Sequence, residues 1–325
     1  MSLLVNRAGF LTTIQDLGRV GHRASGVSMG GALDPYALRI VNLLVGNDEA
    51  AAGIEVTLGT VRLRSDDERV IAWAGGAFQA EVDGCLLPAG RAALVRAEEE
   101  FAITAPASGA RGWLAISGGI DVPLVLGSRS TDLRGGFGGM EGRALRDGDV
   151  LPLGQPSNRG LAIARALSEV RIASWGAPNE WSNTRTRHGF LRVLRGAESS
   201  EFAADALLAG RFTVAPESDR MGVRLQGAEL RRDRNEDLIS EPVVPGTIQV
   251  PPDGQPIILL GDCQTIGGYP KIAHVITVDL AAAAQLFPGD SVRFAEVGLD
   301  EAQRLLIERE RDVERFGIGL TLRLS

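Results

Sequence analysis

The apolar residues of this chain come in short runs, each cut off by Gly, Pro or Asp, and that spacing limits the folds open to it more than any other feature. Examples are Ile54-Glu55-Val56-Thr57-Leu58, Val70-Ile71-Ala72-Trp73, Phe101-Ala102-Ile103-Thr104 and Trp113-Leu114-Ala115-Ile116. The second half continues with Leu191-Arg192-Val193-Leu194, Phe212-Thr213-Val214, Ile257-Ile258-Leu259-Leu260 and Val275-Ile276-Thr277-Val278. Runs of this length suit strands, and many of them at even spacing point to a sandwich or a barrel. The 41 glycines supply the tight turns such a fold needs. At 325 residues the length favours two domains. Gly148-Asp149-Val150-Leu151 is echoed by Gly289-Asp290-Ser291-Val292, which suggests duplication, and the polar stretch 154–160 is the best linker. The expectation is a mainly β chain of two similar β-barrel lobes, residues 1–160 and 161–325, with a few short helices and a helix at the C-terminal end.

Helices are few and well signalled. Asp34-Pro35 pairs an N-cap with proline at the first helical position, Leu38, Val41 and Val45 mark an apolar face, and Gly46 closes the element. A second helix is expected over 201–209 behind Ser199 or Ser200, and a third over 280–287 with Asp279 as its cap and Pro288-Gly289 as its stop. Asp300 opens a charged surface helix that runs through Leu305, Leu306 and Val313 to Phe316.

Charge and composition exclude several classes. With 44% hydrophobic residues the chain can bury a core, yet no run approaches the roughly 20 apolar residues that span a bilayer. The first residues lack a basic segment followed by an apolar one, so no signal peptide is read. Cys85 and Cys263 are too few for a disulfide framework and lack zinc spacing. A cytoplasmic protein without membrane contact is expected. The net charge of −7 argues against a nucleic-acid partner held through phosphates. Of the 34 basic residues, 33 are Arg and one, Lys271, is Lys. Codon bias accounts for the arginines but not for the one position that is lysine. An ammonium is a compact point charge, which singles out Lys271.

Five segments carry more polar chemistry than strands and turns require. The entry to the first helix, Thr12 through Gly21 and Gly26 to Asp34, is polar and glycine-rich, and its Asp34 reads simply as a cap. Gly26-Val27-Ser28-Met29-Gly30 spells G-x-S-x-G, but no buried strand precedes Ser28 and the helix starts late, which speaks against a nucleophile elbow. Gly127-Ser128-Arg129-Ser130-Thr131 with Gly135-Gly136-Phe137-Gly138-Gly139 offers amides, hydroxyls and a guanidinium to an anion, or else is a flexible turn. No P-loop string exists in the chain. Ser218-Asp219-Arg220-Met221-Gly222-Val223-Arg224-Leu225 places an acid and a base in a turn before a strand, as an anion contact or a surface ion pair. The stretches 246–256 and 261–271 bring Gln249, Gln255, Asp262, Gln264, Tyr269 and Lys271 near strand ends. Burying three carboxamides for packing alone would demand partners for each, so a site is the better reading. His22, His188 and His274 are too scattered for a metal motif, and Arg231 through Asp237 reads as a solvated turn.

Taken together, several of these strings resemble the KipA-type family, also named the second subunit of allophanate hydrolase, with the C-type subunit of bacterial 5-oxoprolinase among its members. The likeness rests on Thr13-Ile14-Gln15-Asp16-Leu17-Gly18-Arg19, Gly31-Ala32-Leu33-Asp34, Leu44-Val45-Gly46-Asn47, Gly118-Gly119-Ile120 and Gly127 through Thr131. Ser218 through Gly222, the stretch 246–256, Gln264-Thr265 and Gly267 through Lys271 extend it over residues 6–294. Cys263 stands where relatives often carry a basic residue, and Ile266 where a second threonine is common. The family is also similar to part of the carboxyltransferase domain of urea carboxylase.

The resemblance implies two cyclophilin-like β-barrels and two partner chains, a KipI-like B-type subunit and an A-type subunit. With these, a 5-oxoprolinase complex cleaves 5-oxoproline to glutamate using ATP, so that the chain would be an amide hydrolase only as part of that complex. Allophanate hydrolases proper need a Ser-cis-Ser-Lys arrangement that this chain lacks, so the older name is a label. Covalent biotin is not expected here, because Lys271 lacks the Met-Lys-Met context of a carrier. In the resulting scheme Lys271 and Arg220 meet phosphate or carboxylate charge, supported by Arg129, Ser130 and Thr131. Gln249, Gln255, Gln264 and Tyr269 position the substrate amide, and Asp262 holds Mg²⁺ or orients Lys271. Alternatives are a biotin-dependent carboxyltransferase-like subunit, a regulatory binding protein without turnover, and a structural subunit.

Overall fold

Strands account for most of the regular structure in the computed structural model, which describes residues 1–178, 181, 190–234 and 238–324. His188 and the segment 235–237 of the mixed-charge turn lie outside the described residues. The chain is mainly β, as its short apolar runs predict. Contacts divide it into two units, one of residues 1–19, 30–184 and 312–325, the other of residues 20–29 and 185–311. No helix among the described residues is long and apolar enough to cross a membrane.

The first unit holds two six-stranded antiparallel sheets around one core. Val5, Leu63 and Ile103 come from one sheet, and Ile54, Ile71 and Ile116 from the other, all buried between them. Arg69–Gly75 is buried at every position. Its second face is covered by the helices Pro35–Leu44 and Asn158–Leu167, which explains an apolar run without alternation. Asp34 caps the first of these helices by accepting the Ala37 amide at 2.9 Å, with Pro35 at its first turn. Gly46 follows with φ +80°, and a Cβ there would lie 2.4 Å from the Gly160 amide nitrogen, so glycine is required both for conformation and for close approach. The stretch 154–160, read as the linker, runs into the helix Asn158–Leu167, which Ser157 caps.

The second unit is built on an eight-stranded sheet. In order across it run Ser291–Val292, Phe212–Val214, Gly222–Gln226, Ile257–Leu259, Thr247–Gln249, Lys271–Val275, Leu191–Arg195 and Phe294–Glu296. The two edge strands are separated in the chain by Arg293 alone. Consecutive Cα atoms are about 3.8 Å apart, so opposite edges joined by one residue oblige the sheet to curl into a nearly closed barrel. Both echo segments become edge strands after a positive-φ glycine: Val150–Pro152 after Gly148 at φ +89° and Ser291–Val292 after Gly289 at φ +93°.

Three local expectations are corrected. Residues 201–209 do not form one helix. A 3-10 turn, Ser199–Glu201, and a single α turn, Ala206–Ala209, are separated where Asp205 adopts φ +59°. Asp279 does not cap the helix Leu280–Ala284, because its carboxylate accepts from the Arg192 guanidinium at 2.6 and 3.0 Å and from the Arg192 amide at 2.8 Å. The strand expected over 275–278 is displaced to Lys271–Val275, and Thr277–Asp279 is a 3-10 turn. Lys271 therefore begins a strand and does not ride on the glycine loop. Residues Leu299–Leu324 form the C-terminal helix, longer than its charge pattern predicts.

Candidate functional site

The site begins with strand register. In the second unit Arg224 is paired with Ile257, and Ile257 on its other side with Gln249. Directly opposed residues on antiparallel strands project to the same face. One row across three strands thus carries a guanidinium, an apolar side chain and a carboxamide. Strands lie about 4.8 Å apart, so the two polar ends of the row are separated by about 10 Å at the backbone. Gly222 and Leu259, each two residues along, form the next pair on that face.

These two rows form the floor of a cavity of about 560 Å³. Its walls come from three loops: Asp219 and Met221 before one strand, Pro251, Pro252 and Asp253 after another, and Gln264 and Tyr269 from the glycine loop. Three of the five segments singled out in the sequence therefore converge on one cavity. Gln249 is 1% exposed, accepts from Gln264 Nε2 at 3.2 Å and donates to the Tyr269 carbonyl at 3.3 Å. Each of the two carboxamides keeps hydrogen-bonding capacity beyond these contacts. A Cβ on Gly267 would fall 2.7 Å from Gln249 Nε2, so a larger residue there would have to displace that carboxamide. Asp219 and Asp253 brace their own turns, accepting from Met221 and Gly222 amides at 2.8 and 3.1 Å and from the Gln255 amide at 3.0 Å. Among the described residues Arg224 makes no ion pair.

Other expected site residues have different work. Arg220 and Asp262 are both buried and joined by two bonds, Nε to Oδ2 at 2.8 Å and Nη2 to Oδ1 at 3.1 Å. Asp262 therefore does not orient Lys271, and a carboxylate held by a guanidinium is a poor cation ligand. No cluster of three or more His, Cys, Asp or Glu that suits a metal occurs among the described residues. The Lys271 ammonium is buried against two carboxylates, pairing with Glu241 Oε2 and lying 3.7 Å from Glu198 Oε1. Glu198 also accepts the Lys271 amide at 2.8 Å. The lone lysine is thus an internal counter-ion, not an ammonium offered to a ligand. Gln255 holds Gly227 through that residue's amide at 2.8 Å and carbonyl at 3.4 Å, bridging two chain segments.

Arg129, Ser130 and Thr131 belong to the first unit. Asp16 there gathers the Ser128 and Ser130 hydroxyls at 2.6 Å each and the Arg129 amide at 2.6 Å, while the Arg129 guanidinium pairs with Asp121 at 2.7 Å. Thr131 is fully buried, with its carbonyl taken by Gln15 at 3.3 Å. Asp16 thus takes up the Ser128 and Ser130 hydroxyls and the Arg129 amide, while Arg129 Nε and Thr131 Oγ1 are buried without a hydrogen-bond partner among the described residues. Residues before Ser28 form the 3-10 turn Arg23–Ser25, and the next helix begins at Pro35, so the G-x-S-x-G string is no elbow.

His274 lies on the Lys271 strand with its Nδ1 3.3 Å from Thr247 Oγ1. Burial, then the Lys271 charge, holds its imidazole below the ordinary 6.5, with Glu198 opposing. A folded state that refuses a proton the unfolded chain accepts is fully stable above about pH 6.5 and loses stability as pH falls below it, levelling beneath the folded pKa. Denaturant midpoints measured from pH 7 to pH 5 should fall, and His274→Gln should flatten that slope. An unchanged slope would remove His274 from the acid response.

Comparison with known proteins gives this geometry its context. Residues 25–296 match the carboxyltransferase domain, subdomain A and B. The chain belongs to that family. Within it, this carboxyltransferase-family chain is 40% identical to the C-type subunit of 5-oxoprolinase from Escherichia coli strain K12, over 97% of both chains. The corresponding Haemophilus influenzae 5-oxoprolinase chain is 38% identical over 92% of each. Among solved structures, the Kluyveromyces lactis urea carboxylase is similar with a TM-score of 0.87 and 28% identity, across 97% of this chain but only 29% of that one. Sequence reasoning had missed Arg224 and Asp253 as lining residues. The signal for Arg224 was present in its odd–even spacing from Gly222 along one strand.

Proposed function

We propose that this chain is the C-type subunit of an ATP-dependent 5-oxoprolinase, acting in the cytoplasm with a KipI-like B-type subunit and an A-type subunit to open the lactam of 5-oxoproline to glutamate. The observation that carries the reading is a cavity with paired carboxamides above an apolar floor, in a chain so similar along its whole length to the C-type 5-oxoprolinase subunit of E. coli. A lactam presents one N–H and one carbonyl on a small apolar ring. Gln249 and Gln264 supply an acceptor for the first and a donor for the second, and Ile257 and Leu259 lie under the ring. Held in this way, the amide has a fixed face for attack, which is the positioning share of catalysis.

ATP makes an unreactive amide attackable, and the complex is its consumer in this reading. The cations first expected to meet its phosphates do not fit that role on this chain, since Lys271 and Arg220 are already neutralised by carboxylates. Nor does Asp262 fit Mg²⁺. ATP and Mg²⁺ therefore fall to the partner chains, and the lactam to this one.

Co-expression with the two partner chains tests the proposal. Glutamate should form from 5-oxoproline and ATP only when this chain is present, and Gln264→Leu should lower kcat/KM by about 10- to 100-fold, the loss of a hydrogen bond or two to substrate. Equal turnover without the chain would end the proposal. The likeness to urea carboxylase favours a second reading, carboxyl transfer from a biotin carrier. Lys271 is too buried and too tightly paired to carry biotin itself, so that reading needs a separate carrier. Turnover of a carboxylated biotin carrier by this chain, with no 5-oxoproline consumed, would favour it.

A further inference from the structure

We infer that Arg224 reads a carboxylate, and that the cavity selects small ligands carrying an amide and a carboxylate on one apolar ring. This rests on the lactam reading of the same cavity and adds the group that discriminates among lactams. Arg224 and Gln249 flank Ile257 in a single register row and line the same cavity, about 10 Å apart at the backbone. A five-membered ring bearing a carboxylate, with hydrogen bonds reaching outward from both ends, spans such a gap. Between the two polar ends lies Ile257, with Leu259 in the adjacent row, so the floor offers the ring an apolar seat.

The charge arrangement points to Arg224 and away from the other cations of this unit that the sequence suggested. Arg220 is matched by Asp262, and Lys271 by Glu241 and Glu198. Arg224 lines the cavity with no ion pair among the described residues. The cavity's two carboxylates, Asp219 and Asp253, are tied by amides into their own turns. They repel a second anionic group, so a ligand with one carboxylate, seated at Arg224, suits the site better than a polyanion. A guanidinium meets a carboxylate with two parallel N–H donors, which adds geometry to charge.

The test compares 5-oxoproline with 2-pyrrolidinone, the same lactam without its carboxylate, by calorimetric binding to the full chain. The wild-type chain should prefer 5-oxoproline. Arg224→Gln should weaken 5-oxoproline by about 10- to 100-fold and leave 2-pyrrolidinone nearly as it was, while Arg224→Lys should recover part of the preference. Equal weakening of both lactams, no preference in the wild type, or no binding of either would each overturn the inference. In the assembled complex, Arg224→Gln should act mainly on KM. Should the complex fail to turn over 5-oxoproline at all, the 5-oxoprolinase reading fails, and the binding preference still decides the role of Arg224.

Discussion

Arg220→Met is expected to lower the stability of the chain by about 3–5 kcal/mol, read as a fall in the denaturant midpoint at unchanged slope. The substitution leaves the Asp262 carboxylate, 9% exposed, without its bidentate partner in the interior of the second unit. Taking both guanidinium bonds from a buried carboxylate is the costly outcome, whereas removing the two charges together is not. Arg220→Met combined with Asp262→Leu should therefore recover most of the loss. If Arg220 were instead a solvent-facing group waiting for phosphate, the single substitution would change stability by less than about 0.5 kcal/mol, as surface changes do. A midpoint shift that small would refute the structural role given to the pair.

Lys271→Met is the second large effect. Among the described residues it removes the only cation paired with the Glu198 carboxylate, and Glu198 is itself largely buried with 15% of its side chain exposed. A loss of about 2–4 kcal/mol is expected, at the lower side of what breaking a buried pair costs because the Glu198 contact is long. Glu241→Gln, on the same ammonium but with 59% of its side chain exposed, should cost under about 1 kcal/mol. That contrast separates an internal counter-ion from a catalytic lysine. A catalytic Lys271 would give a stable, inactive Lys271→Met chain, and thermal melting of the purified variant beside its turnover in the complex distinguishes the two.

The strands were legible because their signals are local. Val70-Ile71-Ala72-Trp73 is apolar throughout since both faces of that strand are covered, and Asp34-Pro35 caps its helix by groups within three residues of each other. Gln249, Gln264 and Tyr269 were legible for a related reason: polar groups clustered at strand ends seldom serve packing alone. Failures came where a distant partner decided the matter. Asp279 reads as a cap until Arg192, far back in the chain, takes both its oxygens. The rarity of lysine marked Lys271 correctly as unusual, but rarity says nothing about charge balance, and Glu198 and Glu241 supply that balance from separate segments. Arg129, Ser130 and Thr131 had the composition of an anion cradle, yet the anion that Ser128, the Arg129 amide and Ser130 surround is the chain's own Asp16. Register was the information the sequence withheld, and the pairing of Arg224 with Ile257 and Gln249 is visible only once the strands are laid side by side.

Arg293 joins the first and last strands of the eight-stranded sheet, and its consequence reaches beyond the cavity. With its rims tied through one residue and its edge strands only two and three residues long, the sheet offers a stray strand little to template on, so this unit should resist fibre-like self-association. A protease nick or an inserted linker at that single residue would release the two rims from each other. The same polypeptide would then become sticky without the loss of a single core side chain.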